Sequence, residues 1–274
     1  MLAGVGTGLR CVGYGDRAQD RLAVAARLAL YTLFPFGSLA RRIGHPVPDP
    51  SRWLGSYRLR CQEGIFECPP GPGPFFLAAD RTYEPALVAL LGTLSGGTFV
   101  DVGANVGFIT VRAARRLGDR GRVIAIEAHP VRFEYLQRNI RLNRLTNVRA
   151  VPCALGAAEG TARLYDVDPT LGPRPRDATM LRPTGGHAFQ VPVRTLDAVL
   201  AELGGPADVR LVKIDVEGYE SQVLKGMPRT LEQRPLVVFE ALDAPSLEAA
   251  RDALPAGYGI RQLEGANFLG TAAA

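Results

Sequence analysis

Phe99-Val100-Asp101-Val102-Gly103-Ala104-Asn105-Val106-Gly107 runs an apolar strand into a glycine turn, and the residues after it switch to helical spacing, with Phe108, Val111, Ala114 and Leu117 on one side. A strand–turn–helix junction directs backbone N–H groups and the positive end of a helix at whatever lies above the sheet edge, which favours an anionic or carboxylate-bearing ligand. Gly103 allows a close backbone approach or a left-handed torsion, Gly107 lets the first helical turn lie against strand or ligand, and Asn105 can close the turn through its side chain. Asp101, at the end of the strand, is an acceptor for a cationic amine. A dinucleotide fingerprint needs a glycine two positions after Gly103, where this chain has Asn105, and a phosphate-binding loop needs Gly-Lys-Ser/Thr, where Gly107 is followed by Phe108 and Ile109. A nucleoside with a short charged tail therefore fits better than a polyphosphate.

Working outward, Gly121-Arg122-Val123-Ile124-Ala125-Ile126-Glu127 reads as the next parallel strand and ends in a carboxylate twenty residues beyond Gly107. An acid there can accept from both hydroxyls of a ribose. Pro130 suits the first position of the following helix, whose apolar side is Phe133, Leu136, Ile140 and Leu142. A third strand and its loop, 147–156, place Ala154 beside the base of the nucleoside. From Ala157 to Gly186 the chain is turn-rich and broken by prolines, either a flap on the substrate side or a solvated hairpin and loop. Phe189 to Val193 is a further strand, and Thr195 caps a short helix.

Val209-Arg210-Leu211-Val212-Lys213-Ile214-Asp215-Val216-Glu217-Gly218 is a buried-type strand ending in acids, and Leu236 to Glu240 is another. In open α/β sheets ligands bind outside the carboxyl ends of the strands, so Glu127, Asp215, Glu217 and Glu240 meet at one rim. Like charges gathered there repel unless a cation or donor intervenes, which points to function, and Lys213 is placed to pair with one of them.

Residues 98–107 (TFVDVGANVG), 121–130 (GRVIAIEAHP), 138–143 (RNIRLN), 195–197 (TLD), 209–220 (VRLVKIDVEGYE) and 235–240 (PLVVFE), with the Tyr83-Glu84-Pro85 approach, resemble the FkbM family of S-adenosylmethionine-dependent methyltransferases over roughly residues 80–260. The resemblance implies an α/β class I methyltransferase fold, a Rossmann-like, mostly parallel sheet of seven strands with helices on both faces. It also implies S-adenosylmethionine as cofactor, held by Asp101, Gly103, Asn105, Gly107 and Glu127, and methyl transfer to a hydroxyl of a small molecule such as a natural product, sugar or glycan-like acceptor. His129 stands where that family commonly has asparagine.

A sugar or alkyl hydroxyl is a weak acid, so the transfer calls for a general base or a Lewis acid. In one scheme Asp215 takes the proton, assisted by His187 of the insertion; in the other, Asp215 with Glu217 or Glu240 binds Mg2+. The metal-free scheme is preferred, since no ligand spacing is a metal signature. The remaining alternative is a cofactor-fold binding protein without turnover.

Composition sets the outer bounds. The 274 residues accommodate an N-terminal extension, 1–75, with a helical segment, a linker and a small hairpin around Trp53, Tyr57 and Phe66, followed by a methyltransferase domain, 76–274. The segment Leu22–Ala40 is apolar, but Arg27 interrupts it and Pro35 ends its helix, so no integral membrane span is expected and a helix packed on the domain is. Four cysteines without zinc or scaffold spacing, and no visible signal peptide, suggest a reducing cytoplasm. A net charge of +5 is mild, and two acids at the Asp215-Val216-Glu217-Gly218 corner would repel a phosphate backbone, so nucleic acid is not expected as a partner. The acceptor's identity and the oligomeric state are not encoded in any of these patterns.

Overall fold

The computed structural model describes residues 10–33, 53–70, 83–165, 188–205 and 208–273. The chain opens with helix α1 (Ala18–Leu33) and a hairpin of β1 (Tyr57–Cys61) and β2 (Gly64–Cys68). Then come α2 (Pro85–Thr93), β3 (Gly97–Val102), α3 (Phe108–Leu117), β4 (Gly121–Ile126), α4 (Pro130–Leu142) and β5 (Val148–Val151). The short strand β6 (Ala154–Leu155) leads to β7 (Gly160–Tyr165), β8 (Ala188–Arg194), α5 (Leu196–Glu202) and β9 (Val209–Ile214). Last are α6 (Glu220–Lys225), α7 (Pro228–Glu232), β10 (Leu236–Glu240), α8 (Ala244–Ala253), β11 (Tyr258–Glu264) and β12 (Asn267–Ala272).

Seven strands form one sheet in the order β11-β12-β10-β9-β3-β4-β5. β3, β4, β5, β9 and β10 run parallel, while β12 is antiparallel to both β10 and β11. This is the class I methyltransferase arrangement, Rossmann-like and mostly parallel. The parallel strands are near-continuous apolar runs because both faces are covered. Val100, Val102, Ile124, Val212 and Phe239 pack on one side with α5 and α6, and Phe99, Val123, Leu211 and Val238 on the other with α2 and α3. From β3 the chain winds outward through β4 and β5, then returns to β9 on the opposite side of β3. A crevice at the carboxyl ends of β3 and β9 follows from that reversal.

The turn-rich stretch after Ala157 is more ordered at its start than its composition suggests. β7 pairs antiparallel with β8 from Gly160↔Val193 to Tyr165↔Ala188, and β6 joins β8 on its other edge. Leu164, Val191 and Ala154 bury one face of this small sheet. Residues 166–187, which include His187, lie outside the described residues.

In the extension, α1 ends two residues before Pro35, and Arg27 does not interrupt its packing as expected. The Arg27 side chain is wholly buried, lies 4.2 Å above the Tyr57 ring and donates to the Gly55 carbonyl. Asp20, equally buried, accepts from Arg17 and from the Arg58 backbone N–H. Burial alone would push its pKa up, but these donors outweigh it and hold the carboxyl below its usual value.

The hairpin in turn is fixed to the domain by two asparagines one helical turn apart. Asn139 accepts from the Glu67 N–H at 2.6 Å and donates to the Glu67 and Val106 carbonyls. Asn143 accepts from the Ile65 N–H at 3.0 Å and donates to the Ile65 carbonyl. The two side-chain amides thus act as a surrogate strand along β2, satisfying backbone groups that an edge would leave open. The inner face of α4 is therefore Tyr135, Leu136, Asn139 and Asn143, more polar than the Phe133, Leu136, Ile140, Leu142 stripe that periodicity gives.

Candidate active site

Three positive φ angles within five residues shape the turn after β3: Gly103 at 77°, Asn105 at 53° and Gly107 at 95°. At Gly103 a Cβ would run into the Asp215 carbonyl oxygen, so the close approach that glycine permits is to the loop after β9 rather than to a ligand. At Gly107 a Cβ would meet Leu136 of α4 at 2.7 Å, and this residue does not line the crevice. The turn also offers fewer free donors than a strand–helix junction suggests. The N–H groups of Gly103 and Ala104 go to the Ile126 carbonyl, that of Gly107 goes to Ala104, and that of Asn105 goes to Glu127. With these N–H groups engaged, the turn is poorly equipped to grip an anion.

A cavity of about 300 Å³ lies over the carboxyl ends of β3, β4, β9 and β10. Asp101, Gly103, Asn105, Glu127, Ala154, Asp215, Glu217 and Glu240 all line it, so of the described site residues expected from sequence only Gly107 is not among its walls, and His187 lies outside the described residues. Six carboxyl groups face two basic side chains, Lys213 and Arg132, across this space. Such a lining suits a cationic ligand.

Glu127 is 6% exposed. Its Oε2 accepts from the Asn105 N–H at 2.7 Å and its Oε1 from the His129 N–H at 2.8 Å. Burial pushes its pKa up, against the pull of Arg132 and of these N–H groups. The two bonds fix the plane of the carboxylate and leave each oxygen one further acceptor position. His129 itself is a structural residue: it caps α4 by accepting from Arg132 N–H and sets its ring edge-on to Phe189 at 4.7 Å.

Register brings the ionic centre together. Asp101 of β3 and Lys213 of β9 are cross-strand partners, and both are buried. Lys213 Nζ stands 3.0 Å from Asp215 Oδ2 and 3.8 Å from Asp101 Oδ1, while Thr110 Oγ1 donates to Asp101 Oδ2 at 2.6 Å. Burial works against the charge on Lys213, but Asp215, Asp101 and Glu84 outweigh it and hold the ammonium protonated. Asp101 Oδ1 makes no closer contact than the 3.8 Å ion pair with Lys213, so a donor brought into the cavity can still reach it.

Glu240 ends β10 beside Asp215. Burial and the charges of Asp215, Glu217 and Glu220 push its carboxyl up to about 7. Sequence reasoning passed over Glu220, a buried carboxylate that accepts from the N–H groups of Val216 and Gly218 and so holds the loop carrying Asp215 and Glu217. Tyr83 and Glu84, which the resemblance includes in the approach to β3 without a site role, also line the cavity. Among the described residues no group of three or more His, Cys, Asp or Glu side chains is disposed to hold a metal ion. Lys213 holds one oxygen of Asp215 at 3.0 Å, and nothing among the described residues supports the Mg2+ alternative.

Residues 101–265 match the model of the methyltransferase FkbM domain. The chain is 32% identical over 145 residues to Methyltransferase 1 of Beauveria bassiana, covering 47% of this chain and 57% of that protein. It is 31% identical over 154 residues to Methyltransferase sdnD of Sordaria araneosa, covering 47% and 59%. The chain thus spans less than two thirds of the length of these curated relatives. Among solved structures, a methyltransferase FkbM from Methylobacillus flagellatus KT superposes with a TM-score of 0.47 at 16% identity, covering 98% of this chain and 59% of that one. The family model spans more than half of the chain, and the residues it matches run from the acid before the glycine turn to the last strands of the sheet: the chain belongs to the methyltransferase FkbM domain family.

Proposed function

We propose that this chain is an S-adenosylmethionine-dependent O-methyltransferase acting on a hydroxyl of a small molecule, a natural product, sugar or glycan-like acceptor. When bound, the donor supplies a methyl carbon made electrophilic by its sulfonium. Glu127 holds the ribose with the two acceptor positions its backbone contacts leave open. Gly103 and Asn105 form the floor, Ala154 lies beside the base, and Asp101 faces the donor's cationic tail. Asp215 takes the proton from the acceptor hydroxyl.

The observation that carries this reading is the Lys213–Asp215 contact at 3.0 Å. It fixes one oxygen of Asp215 and leaves the other, on a side chain 32% exposed, at the wall of the cavity that also holds Glu127. A positioned carboxylate next to a bound electrophile is what a weakly acidic hydroxyl requires. Glu240, with a carboxyl near 7, is the neighbouring group able to receive the proton in turn. Residues 76–274 form the catalytic domain in this reading, and 1–75 an extension held to it through the hairpin. A reducing compartment such as the cytoplasm suits the four cysteines, all free thiols, and no helix among the described residues is long and apolar enough to cross a membrane.

The test is transfer of a labelled methyl group from S-adenosylmethionine to a panel of hydroxylated small molecules, with and without Mg2+ and chelator. Metal-independent transfer that Asp215→Asn abolishes supports the reading. Binding of the donor with no transfer to any acceptor favours the inactive alternative, and transfer that only Mg2+ restores would revive the metal scheme.

A further inference from the structure

Phe66 of β2 shares one buried apolar cluster with Val106, Phe108 and Tyr135 of the domain, and two of these, Val106 and Phe108, also line the cavity. A hairpin of two five-residue strands is marginal in water by itself, so it is held by what it packs on. Here that is the outer side of the cavity wall.

Three contacts run from β2 and its turn to residues of that wall. Asn139 uses both of its amide protons, one on the Glu67 carbonyl at 3.0 Å and the other on the Val106 carbonyl at 2.8 Å, while its oxygen accepts from the Glu67 N–H. Val106 follows Asn105, the left-handed residue whose N–H is held by Glu127. One side of the turn after β3 is thus set by Glu127 and the other by the amide that grips β2. Phe66, wholly buried, stacks on Phe108 with ring centroids 4.3 Å apart, and Phe108 is the first residue of α3. One helical turn further on, the buried Arg112 lies 3.7 Å from Glu63 in the hairpin turn and donates to the Tyr83 carbonyl at 3.4 Å. Tyr83 is again a wall residue. Glu63, Phe66 and Glu67 therefore each stand one residue or less behind the cavity, and a close-packed wall keeps its shape only while they are in place.

We propose that the hairpin is a working part of the methyl-donor site, with Phe66 and Asn139 as positioning residues, so that docking of the hairpin and occupation of the cavity strengthen one another. This rests on the donor lying in the cavity, as in the function proposed above. A ligand that meets a complete wall only in the docked state binds that state better, and by linkage it stabilises docking by the same factor. Its apparent affinity falls with the docked fraction. The interface carries its own reporters: the Ile65 and Glu67 N–H groups donate to Asn143 and Asn139, so their exchange with solvent requires β2 to leave α4.

Hydrogen exchange at these two N–H groups and titration calorimetry, both on the full chain with S-adenosylhomocysteine, test this. At a ligand concentration about a hundred times Kd, exchange of the Ile65 and Glu67 N–H groups in the wild type slows by about tenfold or more, with about a hundredfold as the limit when the undocked protein does not bind. Phe66→Ala, at a residue that does not line the cavity, weakens S-adenosylhomocysteine by about tenfold or more. Exchange that saturating ligand leaves unchanged makes the hairpin a cover and nothing more, and overturns the proposal. So does a folded Phe66→Ala protein with affinity within about twofold of wild type. If Phe66→Ala does not fold, the wild-type exchange decides alone. A wild type that does not bind S-adenosylhomocysteine refutes the donor reading and this inference with it, whereas binding without slower exchange refutes this inference only.

Discussion

Replacing Glu127 with alanine probes the wall of the cavity where geometry is most complete. The carboxylate has about four acceptor positions; two take the Asn105 and His129 N–H groups at 2.7 and 2.8 Å, and two remain for the hydroxyls of a ribose. A hydrogen bond to a charged group contributes about 1.5 kcal/mol at the lower end, so losing both costs about 3 kcal/mol, or roughly a hundredfold in Kd. The same substitution leaves the Asn105 and His129 N–H groups without their acceptor, which lowers stability by about 1–3 kcal/mol. Titration calorimetry with 5′-methylthioadenosine and its 2′-deoxy analogue separates the two effects. Wild type loses about tenfold or more on removal of the 2′-hydroxyl, whereas Glu127→Ala, already weakened, discriminates little between the two ligands. A folded Glu127→Ala protein with wild-type affinity, or with undiminished discrimination, would refute the ribose assignment.

Asp215→Asn abolishes methyl transfer while changing S-adenosylhomocysteine affinity by no more than severalfold, measured by labelled-methyl assay and calorimetry; retention of most of the rate would remove Asp215 as the proton acceptor. Lys213→Met strands the buried carboxyl of Asp101 and removes the partner of half-buried Asp215, and lowers unfolding free energy by about 3–5 kcal/mol in denaturant titration. Asn139→Ala removes three hydrogen bonds that tie β2 to α4 and to the turn, at a cost of about 3 kcal/mol, and exposes the hairpin to limited proteolysis before the sheet. Thermal stability declines as pH rises through about 7, because Glu84 and Glu240 bind protons more tightly folded than unfolded. Their folded values lie near 7, above the unfolded value of about 4.5, so stability is full below the unfolded value and is lost upward through the folded one. Glu84→Gln flattens this decline in a melting series from pH of about 5 to 8.

The five parallel strands were legible because each is a short apolar run closed by a turn residue or an acid, and because a strand buried on both faces leaves no other reading for VDVG or VKID. The same runs carry Asp101, Glu127, Asp215 and Glu240 to their carboxyl ends, which is why the rim of the cavity is legible in the sequence. What periodicity missed were polar residues doing core work. Asn139 and Arg27 are fully buried, one pairing with a strand edge and the other stacking on Tyr57, and a pattern of apolar spacing assigns both to the surface. Likewise β7 is half exposed and short, and its pairing with β8 depends on residues far along the chain. Glu84 stands in the Tyr83-Glu84-Pro85 stretch, but its place in the cavity wall goes with Glu264 capping α2 from far along the chain, a pairing that local spacing does not record.

The crystal structure of the complex with S-adenosylhomocysteine tests the account most directly. The ribose hydroxyls are expected on Glu127, the amino-acid tail over Asp101, and the sulfur turned toward Asp215. Density for the nucleoside anywhere other than between the turn at residues 103–107 and Glu127, or with its sulfur directed away from Asp215, would contradict it.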